Sequence, residues 1–288
     1  MKKVILTEEQ VKHIINEELG IAKEVSNLSE IIEEKIYNYL SKGINSGNFD
    51  VKTELSEFNV EFLFKVFRNK DEMYEWFKIN KISSGYSYEE NKIYIVLYQL
   101  AGVVNYDDFV DTIQHECSHY WECKMKGGPI YNNYYQEIQR GMENKNPVVS
   151  TICKMLYYCN HNEITAFVNG SYKTAIRKNK KYANYKEFIM DNGIKEVYTV
   201  LKNSHDILSK YDDFNTLCLT AFLYFVSHKI IPSYSTFDEM LNYLYKITED
   251  GYNYFIKKLG MAYALYCKKQ EDKKDLLKKK LCTIKEKF

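Results

Sequence analysis

Hydrophobic and polar positions change period along the chain. Behind Thr7 and Gln10, which match a capping box, "EEQVKHIINEEL" carries a helical pattern that stops at Gly20. A second helical pattern places Ile31, Ile32, Ile36, Tyr39 and Leu40 three or four residues apart, with Gly43 as its stop; it predicts a helix over about 28–41. From Phe49 the period falls to two. Phe58, Val60, Phe62, Phe64 and Val66 alternate in "FNVEFLFKVF", the signature of a strand with one buried face. A short helix is expected in "DEMYEWFKIN". After it, "GYSYEENKIYIVLYQL" reads as a hairpin that turns at Glu89 to Lys92, with Ile93 to Tyr98 as its second strand. Beyond residue 105 the pattern is helical, with segments near 106–126, 131–143, 147–159, 161–178, 193–210, 214–230, 236–249 and 251–280. Pro147 behind Asn146 fits a first-turn proline after an N-cap. The expected class is α+β: a small sheet early and helices late.

Length and composition refine this picture without redirecting it. The 288 residues can build one large domain or two small ones. We divide them into an N-terminal helical segment, 1–45, and a main domain, 46–288. Within the latter, 46–126 carry the sheet and the first long helix, and 127–288 a helical lobe. A net charge of +1 gives no field that would favour nucleic acid or an anionic membrane. Lys278, Lys279 and Lys280 are consecutive, but Glu271, Asp272, Asp275 and Glu286 interrupt the basic tail, as on a solvated helix face. The apolar start of "MKKVILTEEQ" ends at Leu6, too short for a secretory signal, and no window has the roughly 20 apolar residues of a membrane span. The seven cysteines are scattered, without a C-x-x-C pair. They read as reduced core residues, which points to the cytoplasm.

The chemistry concentrates in "DDFVDTIQHECSHYWECK". His115, Glu116 and His119 stand in the order H-E-x-x-H, in a chain with only six histidines. Four residues advance a helix by about 400°, so the two imidazoles emerge one turn apart on one face and can reach a single tetrahedral ion. Glu116 is offset by about 100°, close enough to act as general base on a zinc-bound water without displacing it. Asn105 or Asp107 can cap this helix, Asp111 can orient His115, and Cys117 points away from the histidine face.

A catalytic zinc site needs a third protein ligand and an open position. Glu122 and Met125 occupy the places of the metzincin glycine and histidine, which excludes that version. In "CNHNEITAFVNG", Asn162-Glu163-x-x-Ala166 lies some forty residues after His119 and opens a helical segment. Together these motifs resemble the gluzincin branch of the HExxH zinc metallopeptidases, over about residues 93 to 170. The resemblance implies a zincin-like fold with Zn²⁺ held by His115, His119 and Glu163. His161 is the alternative third ligand. It also implies that "KIYIVLYQL" is an edge strand that binds an extended peptide by strand addition. The family often uses a downstream His or Tyr to stabilise the oxyanion; His228 is taken as that catalytic residue, with His205 or a tyrosine as alternatives. Phe167 departs from the pattern, standing where some relatives of this type carry an Asp.

The function expected is zinc-dependent hydrolysis of a peptide or protein substrate, without nucleic-acid or membrane partners. The alternative is an interaction or assembly protein that keeps the fold without the activity. The opening "MKKVILTEEQVKHIINEEL" is similar to the N-terminal segments of many phage-encoded proteins, and such a helix can dock a partner protein. A phage origin would add the virion to the expected locations.

Overall fold

The computed structural model describes residues 25–52, 59–67, 69–80, 84–98, 106–128, 133–191, 194–212, 215–231 and 236–285. The expected helix at 7–20, with His13, lies outside these residues, as does Asn105. The chain divides into two compact units, Met1–Ile130 and Tyr131–Phe288.

In the first unit, helix α1 covers residues 25–40. It ends where Gly43 takes φ +75°, and the Gly43 and Ile44 amides return to the carbonyls of Leu40 and Tyr39. Strands β1 (Ser46–Lys52) and β2 (Asn59–Phe67) follow, then α2 (Lys70–Asn80), β3 (Gly85–Ser87), β4 (Lys92–Tyr98) and α3 (Tyr106–Lys126). The sheet order is β1-β2-β4-β3. β2 runs antiparallel to β1 and parallel to β4, with Phe62 opposite Ile93 and Phe64 opposite Ile95. The alternation in β2 places Phe62, Phe64 and Val66 inward. There they form one core with Leu28, Ile32 and Ile36 of α1 and Val110, Ile113, Cys117 and Tyr120 of α3. A buried hydrogen bond from the Ser29 hydroxyl to Gln114 Oε1, at 2.7 Å, ties α1 to α3.

The edge-strand expectation for "KIYIVLYQL" is overturned. β4 lies between β2 and β3. Ile93, Tyr94, Ile95 and Val96 are all buried, so the apolar run reflects a strand covered on both faces. Past the three-residue pairing with β3, the Ser84 hydroxyl accepts from the Val96 amide at 2.9 Å and donates to its carbonyl at 3.1 Å.

The second unit is helical among its described residues: α4 (Asn133–Met142), α5 (Pro147–Cys159), α6 (His161–Lys178), α7 (Tyr185–Asp191), α8 (Lys195–Lys202), α9 (Ser204–Leu208), a short 3₁₀ turn (Ser209–Tyr211), α10 (Thr216–Ser227) and α11 (Phe237–Lys285). Asn146 caps α5, accepting from the amides of Val148 and Val149 ahead of Pro147 at the first helical position. The segment expected as one helix at 193–210 is three short pieces, and α7 was not anticipated. Conversely, the two helices expected at 236–249 and 251–280 are one 49-residue helix. Gly251 does not break it because the glycine marks a close approach. A Cβ there would lie 2.9 Å from Cβ and 3.0 Å from Cα of Cys159 on α5. No described helix is long and apolar enough to cross a membrane.

Candidate metal centre

Helix α3 separates two tasks by angle. Val110, Ile113, Cys117 and Tyr120 form an apolar stripe that packs in the first unit's core. At 100° per residue, His115 and His119 project roughly 160° away from that stripe. His119 and Glu116 are nevertheless buried, at 4% and 6% exposure, and His115 is half-buried. The two Nε2 atoms face each other at 2.9 Å, with the rings nearly perpendicular at 86°. Two nitrogens about 2.0–2.1 Å from one tetrahedral ion stand roughly 3.3 Å apart. The pair is therefore within about half an ångström of ligand spacing.

Glu163 is positioned by a junction without a linker. α5 ends at Cys159, and Asn160 in extended conformation terminates it and caps α6, its Oδ1 accepting from the Asn162 amide at 2.9 Å. Glu163 thus falls in the first turn of α6, where the helix dipole favours a carboxylate. Its side chain is 1% exposed, and its Oε1 accepts a hydrogen bond from the Tyr135 hydroxyl of α4. Tyr158 is pushed up to about 12, chiefly by burial, then by the charge and hydrogen bond of Glu196, and last by the charge of Glu163. It therefore remains a neutral phenol near that carboxylate. One turn on, Phe167 packs edge-on against Tyr157 and Tyr158, giving an aromatic wall where the resemblance admitted a second carboxylate.

His115, His119 and Glu163 form a group that could hold a metal ion: one ligand atom from each lies within 4.8 Å of the others. Two imidazoles and one carboxylate make the three-ligand donor set of a catalytic zinc site, so these residues fit the ion that the motif implies. Glu163, not His161, is the third member. His161 is exposed and stacks on Tyr254 at 3.9 Å. His205 packs against Tyr245 of α11 with its ring tilted by 41°. His228 closes α10: its Nδ1 lies 2.9 Å from the Tyr224 carbonyl, its ring stacks on Tyr224, and its Nε2 faces Glu137 Oε2 at 4.0 Å. Asp111 is half-buried one turn before His115, and Cys117 is in the core as expected.

Sequence reading marks the tyrosines of "YNNYYQEIQ" as candidates to line a cleft or to pack in the core, but it does not single out Tyr135 as the partner of Glu163. Tyr135 is one of 27 tyrosines and lies 28 positions before its partner, so no local pattern marks the pairing. Comparison of the whole chain with known proteins returned no matching family model, no matching curated protein and no matching solved structure.

Proposed function

We propose that the chain is a zinc-dependent peptidase of the gluzincin type, built on a zincin-like fold. The observation that carries this reading is the meeting of His115 and His119 with Glu163, next to a buried Glu116. The sequence motifs alone named these residues, and chain folding alone would not require a histidine pair and a distant carboxylate to converge. Bound zinc would polarise the scissile carbonyl and acidify the attacking water. Glu116 takes the water's proton and returns it to the leaving amine, a transfer that its burial strengthens by excluding bulk solvent. Tyr135 holds Oε1 of Glu163 and so fixes how the carboxylate is presented. The substrate is a peptide or protein chain.

The test is zinc content by elemental analysis, wild type beside Glu163→Ala, with cleavage of a peptide library as the second readout. One zinc per wild-type chain, loss of it in the variant, and cleavage abolished by Glu116→Gln are the results expected. Wild type without zinc after reconstitution removes the proposal. Zinc without cleavage of any peptide or protein leaves the interaction-protein alternative in its place.

A further inference from the structure

The second unit contains a cavity of about 510 Å³ where α4, the α5–α6 junction, the end of α10 and α11 converge. Its walls are mainly aliphatic, with Ile138, Leu156 and Ile231 among them, and Tyr243 and Asn160 add polar atoms. Among the described residues its one charged lining residue is Lys229. The cavity is open to solvent on one side, and its volume lies in the range that accepts small organic ligands.

Lys229 stands there against local preference. It occupies the position just past α10, with φ +53°. Its amide reaches the Val226 carbonyl and the next amide reaches that of Phe225, the paired closure that usually employs glycine. The other non-glycine residues with positive φ among those described are Asn91 and Asn179, a type that tolerates this conformation. Lysine lacks that tolerance, and its ammonium has no ion pair among the described residues. Lys229 is exposed to solvent yet also lines the largely aliphatic cavity, and backbone strain accepted at such a rim is the kind of local conflict that marks a binding site.

We infer that this cavity binds an amphipathic anion: a carboxylate on an aliphatic chain, its body against the isoleucine and leucine walls and its head on the Lys229 ammonium. A lysine at a helix C-terminus also complements the helix dipole, and the experiment separates the two roles. The inference is independent of the metal centre, and excess chelator in every titration keeps a carboxylate from reporting on bound zinc.

Calorimetric titration of the full chain with decanoate and with decanol provides the test, on wild type, Lys229→Gly and Lys229→Arg. Wild type and Lys229→Arg bind decanoate. Lys229→Gly binds it about ten- to a hundredfold more weakly, while decanol binding is unchanged. The same glycine variant relaxes the backbone and melts about 1–3 °C higher, so stability and binding move in opposite directions. Absence of decanoate binding to wild type at millimolar concentration overturns the inference, as does equal binding to Lys229→Gly.

Discussion

Tyr135 donates its phenolic hydrogen to Oε1 of Glu163, with both side chains buried. Removing only the hydroxyl isolates its contribution. Tyr135→Phe keeps the ring contact with Tyr157 and leaves the fold intact, but zinc affinity should fall about 10–100-fold. Competition with a chromophoric chelator measures this, and affinity unchanged from wild type would make Tyr135 a packing residue.

Glu116 is expected to separate binding from turnover. Glu116→Gln preserves volume and burial, so zinc content should stay near the wild-type value while turnover drops by about 10²–10⁴. Loss of zinc from this variant would instead assign Glu116 to the coordination set.

His228 is bonded to the Tyr224 carbonyl and faces Glu137. His228→Ala should change turnover by less than about tenfold, since removal of an oxyanion donor costs roughly 10²–10³. A loss in that larger range would restore His228 to the catalytic machinery for which sequence reasoning selected it.

Two glycines in the second unit are required for space. A Cβ at Gly141 would lie 2.2 Å from Cys153 Sγ, and one at Gly251 would meet Cβ and Cα of Cys159 at 2.9 and 3.0 Å. Alanine at either site should destabilise by about 1–3 kcal/mol, measured by urea unfolding. Replacing Cys153 by alanine together with Gly141→Ala removes the clashing sulfur and should recover part of that loss. At Gly251 the obstacles include Cys159 Cβ and Cα, which Cys159→Ala keeps, so the same partner change should recover less.

Burial pushes the thiols of Cys153 and Cys159 up to about 12. The unfolded chain releases the same protons near the ordinary value of about 8.5. Between those limits the folded chain holds more protons, so stability is intact below about pH 8.5 and declines as pH rises toward 12. Urea midpoints at pH 7, 9 and 10 should fall in that order. A flat series would mean that both thiols ionise within the folded chain.

What could be read from the sequence was whatever is encoded by near neighbours. Asn146-Pro147 is a local signal, and the expected bounds of α5 and α6 match the observed ones. The i, i+4 histidine pair is local as well. The third ligand came from motif resemblance rather than periodicity, because nothing near Glu163 encodes its distance from His119. Strand order was not legible: β4 is interior because it pairs with β2 across more than twenty residues, and an apolar run does not name its neighbours. The continuity of α11 through Gly251 was likewise hidden, since the reason for that glycine is Cys159, ninety-two positions earlier.

That continuity couples the second unit to itself. Phe237, Met240, Leu241 and Leu244 of α11 belong to one core cluster, and Phe255, Leu259, Ala262 and Tyr266 belong to another. A helix shared in this way acts as a common spine, and neither cluster can melt without unravelling a stretch on which the other depends. The α5–α6 elbow that carries Glu163 is built into both. The helix that carries the carboxylate is therefore anchored through both clusters of the helical unit as well as by the residues around it.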